Sequence, residues 1–292
     1  MDSGKPDGAG TGPAGLSVEA VSAATLPFEN YVPLGSSGLA FPHTRLEKEY
    51  GIPPEHAMML ALRGAVWDGP DVSALALAGL GVPAAPQPLF LVRSGPLRDS
   101  MVAALAQLVH ESGWAGEDVG ITHLEELGGT AVFDLLRWAV PVDAAATVIV
   151  CDEPLFADMR AAGRFKAVGL RVRRGPGPLR VLGCGEGASA AAVGVEGADA
   201  AEHRFSGRGP CDGWLAFHEA LAAGQVRDGE RVLIHARGPQ REGWLLLDAV
   251  DVAAVHLAGD TACEGVGSRL DAVDVAAVHL AGDTAREGVG SR

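Results

Sequence analysis

Thr147–Gly187, TVIVCDEPLFADMRAAGRFKAVGLRVRRGPGPLRVLGCGEG, is the stretch whose reading decides the fold. Thr147–Cys151 is a run rich in β-branched residues closed by Asp152, Glu153 and Pro154, which reads as a buried strand ending in a polar loop. Phe165–Val172 is a second strand and Arg180–Cys184 a third. Between them Arg174–Pro178 (RGPGP) sets a turn, because Pro176 and Pro178 have no N–H to give to a sheet ladder. The remaining segments are arranged around this ribbon.

Upstream, Leu16–Leu26 reads as a first strand that ends at Pro27, and Phe28–Phe41 as a Gly/Ser/Pro-rich loop. Gly35-Ser36-Ser37-Gly38 lacks the Lys and the following helix that a phosphate-binding loop requires, so it reads as part of that loop. His43–Tyr50 and Glu55–Val66 have helical composition and are separated by Gly51-Ile52-Pro53-Pro54. Asp71–Leu80 is a further helix, closed by Pro83, Pro86 and Pro88, and Pro88–Val92 is a short strand. Leu97–Gly113 carries Met101, Leu105, Leu108 and Val109 at helical spacing and leads into a strand at Val119–His123; Phe133–Val140 is helical again. Downstream, the Ala/Gly-rich Gly187–Glu202 fits no single element, and Gly207–Pro210 is a turn. Cys211–Ala223 is a helix stopped by Gly224, and strands Glu230–His235 and Trp244–Val250 flank a turn at Arg237–Glu242. This alternation of strands and helices predicts an α/β fold.

Leu247–Arg269 and Leu270–Arg292 are one 23-residue unit written twice, differing only at Cys263 and Arg286. Two copies are fewer than the three or so a solenoid needs. The preferred reading is a tandem duplication, the first copy continuing the fold and the second a supernumerary tail; a strand-exchange arm is the alternative.

Composition narrows the classes. Apolar residues at 48% supply a core, while a net charge of −14 disfavours nucleic acid, since no basic field releases phosphate counterions. The four cysteines are widely spaced and form no CxxC pair, so they read as reduced thiols with no metal site. No apolar run reaches the roughly 18 residues of a membrane helix. Residues 1–15, MDSGKPDGAGTGPAG, lack the apolar core of a signal peptide and read as a disordered tail. A soluble cytoplasmic protein is expected.

Three stretches together resemble the ketoacyl synthase III branch of the thiolase-like fold. Ser100–Ile121 is similar to that family's helix-then-strand unit, and Thr147–Gly187 to the strand, polar corner and hairpin of its first half. Trp214–Leu247, with Gly224, Gly229 and Gly238 in order, is similar to its closing helix and last two strands. The resemblance implies a layered α/β fold with mixed sheets, a first half at 16–190, a shortened second half at 191–269 and a homodimer, with the duplicated segment at 270–292 standing after it.

The chemistry implied by the resemblance is incomplete. Family members place a Cys nucleophile at a helix N-terminus, with a His and an Asn to bind the thioester oxygen. Asn30 is the only asparagine here and lies outside any match, and no Cys occurs between Ile121 and Thr147, where the helix reads GGTAVFDLLRWAV. Cys211 and His218 are seven residues apart on one helix, about 10.5 Å along its axis, too far for a base to touch a thiol. The resemblance therefore implies a non-condensing relative, a partner of an acyl carrier protein or of a full-length ketosynthase in polyketide or fatty-acyl biosynthesis, with no resident cofactor. Within the basic run Arg160–Arg180, Arg171, Arg173 and Arg174 are the residues expected to meet a phosphopantetheine or CoA phosphate or an acidic carrier. Two alternatives stay open. Val181–Ala190 (VLGCGEGASA), with Asp199 downstream, is similar to the Gly-rich motif of S-adenosylmethionine-dependent methyltransferases. An acyltransferase would instead use a rearranged nucleophile among Cys151, Cys184, Cys211 and Cys263.

Overall fold

The structure is a computed structural model, and it describes residues 15–27, 31–33, 58–60, 62–63, 66–67, 71–93, 104–122, 124–152, 164–187, 201–238 and 241–258. All of them lie within the compact unit Met1–Ala262. In chain order the elements begin with β1 (Leu16–Pro27), β2 (Tyr31–Pro33), β3 (Met58–Leu60), β4 (Leu62–Arg63), β5 (Val66–Trp67) and α1 (Val72–Leu80). Next come β6 (Leu89–Arg93), α2 (Ala104–Ser112), β7 (Asp118–Ile121), α3 (Val132–Ala139), β8 (Ala145–Asp152), β9 (Arg164–Arg174) and β10 (Leu179–Glu186). The last are β11 (His203–Arg208), α4 (Asp212–Ala222), β12 (Arg231–Arg237), β13 (Glu242–Ala249) and β14 (His256–Leu257).

One mixed sheet, in the order β11-β12-β13-β10-β1-β9-β8-β6-β7, holds the molecule together. β1 is its axis. It pairs with β9 along its whole length, while its other edge is shared: β10 pairs at Ser17 and Val18, and β14 at Ala20 and Val21. The register shifts between Val18 and Ala20, so Glu19 is the extra residue of a bulge. That one residue resets the alternation. Val18 and Val21 face one core, while Ala20 and Ala24 face another.

The second of these cores is built by close approach. α1 starts at Asp71, whose carboxylate accepts from Val72 N (2.8 Å) and Ser73 Oγ (2.9 Å). It lies against β1 and β9 where their side chains are smallest. Ser22 Oγ donates to the Ala76 carbonyl at 2.6 Å, and a Cβ on Gly169 would sit 2.8 Å from that same carbonyl oxygen. On the opposite face of the sheet α3 and α4 lie between its two arms. Phe133 of α3 stacks on Trp214 of α4 (centroids 6.0 Å apart), and Trp214 meets Phe217 at 5.9 Å. Val148, Val150, Val168 and Leu170 close this core from the first arm; Val232, Ile234, Leu245 and Leu247 close it from the second. Among the described residues α4 is the only α-helix that follows β10.

The outer face of the second arm carries Leu233, Trp244 and Leu246. Gly185 lies beneath the Trp244 indole, where a Cβ would come within 3.0 Å of the ring. His235 is directly opposite Trp244 in the ladder and is buried. Its Nδ1 accepts from Arg237 Nε at 3.2 Å, while Nε2 faces Glu242 at 3.6 Å.

Several expectations are corrected. The segment expected to be a helix at Glu55–Val66 contains strands at Met58–Leu60, Leu62–Arg63 and Val66–Trp67; Met58–Leu60 pairs with Tyr31–Pro33, which itself falls inside the expected loop. Pairing with a distant segment overrides local propensity there. Gly207 belongs to strand β11, which pairs in parallel with β12, so the turn starts at Gly209. His43–Tyr50 and most of Gly187–Glu202 lie outside the described residues, as does the second repeat copy. Of the first copy, Leu247–Ala249 ends β13, Asp251 Oδ1 accepts from Ala254 N (3.2 Å), and His256–Leu257 pairs with β1. No helix among the described residues is long and apolar enough to cross a membrane.

Two measurements test this packing. Gly169→Ala inserts a methyl against Ser22 and Ala76, and is expected to lower the urea-unfolding free energy by about 1–3 kcal/mol. His235 is held below its ordinary 6.5 by burial first and by Arg237 next, with Glu242 opposing. The native state thus binds fewer protons than the unfolded chain, so His235 contributes its full stability above pH 6.5 and loses it as pH falls through that value. The thermal midpoint should fall from pH 8 to pH 5, and His235→Gln should flatten that fall.

Candidate functional site

In sheets of this kind ligands gather at the carboxyl ends of parallel strands and at helix N-termini. Here β6 and β8 run parallel and end at Arg93 and Asp152. The N-terminal ends of α3 and α4 meet beside them. A 3-10 turn, Glu125–Gly129, leads into α3, and Gly209-Pro210-Cys211 leads into α4. These two turns are packed against each other with no gap. A Cβ on Gly128 would lie 3.1 Å from Val92 and 3.4 Å from Pro210 Cβ, and one on Gly129 would lie 3.1 Å from the Trp214 ring. Trp214 Nε1 donates to the Gly129 carbonyl at 2.7 Å. Thr130, the sole hydroxyl in the sequence Leu127-Gly128-Gly129-Thr130, is buried and donates to the Leu127 carbonyl at 3.3 Å.

The N-terminal end of α4 is rich in charge. Lys166 Nζ pairs with Asp212 Oδ1 at 2.5 Å, and Asp212 Oδ2 accepts from Arg208 N at 3.1 Å. Asp152 is 4% exposed and lies against Gly209, whose φ of +80° and crowding (a Cβ 2.5 Å from Asp152 Oδ2) exclude a side chain. The Cys211 thiol donates to the Val150 carbonyl at 3.3 Å. Burial pushes it well up, Asp152 and Asp212 push the same way, and Lys166 opposes them. Sequence patterning does not single out this Asp152–Lys166–Asp212 group; its one trace there is a pair of acids, one closing a strand and one opening a helix.

The other two described cysteines are held in different surroundings. Cys184 is half-buried and donates to Asp134 Oδ1 of α3 at 3.3 Å; burial and that carboxylate push it up to about 12. Cys151 is buried in the α1 core, and Cys263 lies outside the described residues. Two of the described imidazoles are engaged elsewhere, His218 Nε2 with the Ala258 carbonyl (2.8 Å) and His203 Nε2 with Glu230 (2.8 Å). Cys211 and His218 therefore point to different partners, as their spacing requires.

Arg171 and Arg173 do share a side of β9, but the structure uses them differently. Arg171 Nη2 donates to the Leu80 (3.2 Å) and Gly81 (3.0 Å) carbonyls and caps the C-terminal end of α1. Arg173 pairs with Glu19 and donates from Nη1 to the Asp143 carbonyl at 3.1 Å. Arg174 turns to the other face and caps α3 through the Val140 carbonyl at 3.1 Å. The methyltransferase reading of Val181–Ala190 is corrected over Val181–Glu186, while Ala188–Ala190 and Asp199 lie outside the described residues. Val181–Glu186 is strand, and its pairing with β13 continues from Leu179↔Ala249 to Glu186↔Gly243, so these backbone groups form a ladder and not a cofactor loop. Gly185 answers to Trp244.

No family model matches the sequence, and no curated protein does. Solved structures match in fold. The acyltransferase ChlB3 superposes with a TM-score of 0.53 at 14% identity, over 82% of this chain and 99% of that one. A variant of OleA from Xanthomonas campestris gives 0.54 at 13%, over 80% and 98%. The 3-oxoacyl-(acyl carrier protein) synthase III FabH of Pseudomonas aeruginosa PAO1 gives 0.50 at 13%, over 81% and 99%. A mixed sheet with α3 and α4 between its arms superposes on these proteins over four-fifths of the chain, and what it shares with them is the fold, the thiolase-like fold that the sequence resemblance implies.

Proposed function

We propose that this chain is a non-condensing ketoacyl synthase III-like protein that binds an acyl thioester, or the carrier protein that bears it, in polyketide or fatty-acyl biosynthesis. One observation carries the reading. The turn leading into α3 holds Leu127-Gly128-Gly129-Thr130, with Pro210 and Trp214 packed on it, where the family resemblance places a thiol. Two described thiols support it: burial and nearby carboxylates push Cys184 and Cys211 up, away from the thiolate that is the nucleophile. A full-length ketosynthase as a further partner, a homodimer and a cytoplasmic location belong to the same reading.

Arg173 is the first candidate to meet a phosphopantetheine, CoA or carrier phosphate. Its side chain is 39% exposed and only its Nε and one Nη are engaged in the bonds described, whereas Arg171 and Arg174 close helix ends. The test pairs two measurements on the full chain. With acyl-CoA and malonyl carrier protein, no extended product is expected. Anisotropy of a labelled acyl carrier protein should show binding that weakens steeply with salt and about fivefold in Arg173→Ala. Arg171→Ala should instead lower the thermal midpoint. Extension by the purified chain, or a covalent acyl adduct on any cysteine in the intact mass, overturns the non-condensing reading. Absence of carrier and CoA binding overturns the binding one.

A further inference from the structure

A cavity of about 320 Å³ lies on the α1–α2 side of the sheet, away from the junction of α3 and α4. Ala74 and Ala78 of α1, Pro83 and Pro86 of the loop after it, Leu108 of α2, and Trp114 form its walls. Small residues leave the space, and the frame around it is fixed. The prolines hold φ, Trp114 Nε1 donates to the Gln87 carbonyl at 3.0 Å, and Gln87 Nε2 donates to Thr147 Oγ1 of β8 at 2.6 Å in the interior. The loop therefore cannot slide inward to fill the gap without breaking a buried side-chain hydrogen bond.

The lining also says what fits. Among the described residues it includes no Lys or Arg, and Glu111 is its one ionisable side chain. The Gln87 amide, its main polar group, already donates to Thr147. Such a wall offers nothing to a phosphate and repels a carboxylate. Val82 beside it is 92% exposed, a large apolar side chain with no cover from the fold. The volume is about twice the roughly 150 Å³ that accepts benzene in an engineered apolar cavity, which scales to about ten or twelve non-hydrogen atoms. We propose that this cavity binds a neutral, unbranched aliphatic chain of about that length, the tail of an alcohol or ester and not of a free acid, whatever the role of the α3/α4 junction.

Trp114 supplies the reporter. With 10-bromo-1-decanol, whose bromine quenches indole on contact, the full chain should show saturable quenching. Trp114→Phe should lose that component while decanol still raises the thermal midpoint by mass action. Ala78→Phe fills the space and should weaken binding at least tenfold; Ala74→Leu serves the same purpose should the larger replacement fail to fold. Decanoate at pH 8 should bind at least tenfold more weakly than decanol. Quenching that never saturates, quenching unchanged by the filling variant, or equal affinity for decanoate and decanol overturns the assignment.

Discussion

The contact between Trp214 and Gly129 is the constraint on which the rest of the architecture depends. A buried indole N–H must find an acceptor, and here it finds the carbonyl at the end of the turn that opens α3, at 2.7 Å. The ring then stacks on Phe133 of α3 and meets Phe217 one turn along its own helix. This fixes α3 and α4 end to end, and each helix carries an arm of the sheet with it: β6, β8 and β9 on one side, β10, β12 and β13 on the other. Gly129 is required because a Cβ there would fall 2.1 Å from the Pro210 carbonyl oxygen, and Gly128 lies closely against Val92 and Pro210.

Much of the scaffold is legible because it is written locally. Thr147–Cys151 and Phe165–Val172 announce strands by β-branched content, and RGPGP announces the turn by its missing donors. Features that depend on tertiary pairing are not legible in this way. Ser22 meets Gly169 and Ala76 across long stretches of chain, and nothing near Leu16–Pro27 says that this strand is the axis of the sheet. The same limit explains Met58–Leu60, whose strand conformation depends on Tyr31–Pro33 as a partner. Val181–Ala190 shows the ambiguity of glycine: close approach of a cofactor and close approach of Trp244 leave the same trace in sequence.

The candidate site is legible in its absences and less so in its contents. The single Asn and the lack of a Cys between Ile121 and Thr147 are plain in the sequence, whereas the packing of Pro210 and Trp214 on Gly128 and Gly129 is seen only in the structure. Alternation correctly assigns Arg171 and Arg173 to one side of a strand, since it is a local property. What faces that side is not local. Arg171 meets the exposed carbonyls at the end of α1, and Arg173 meets Glu19, brought within reach by a bulge that no sequence pattern announces. Arg174 lies on the other face, and that the end of α3 waits there is again a matter of tertiary packing.

Cys211 shows why position alone does not make a nucleophile. It stands at the N-cap of an 11-residue helix, where the aligned backbone dipoles favour a negative charge by about 0.3–2 kcal/mol. Against that stand complete burial and two carboxylates, Asp152 and Asp212. Removing an ion from water into a protein interior costs several kcal/mol even after relaxation, so desolvation alone exceeds what the dipole offers. Lys166 could have tipped the balance, yet its ammonium is paired with Asp212 at 2.5 Å. The cation that would have stabilised a thiolate is already matched to an acid at the head of the same helix. The thiol stays protonated and donates to Val150, and α4 serves as the packing partner of α3.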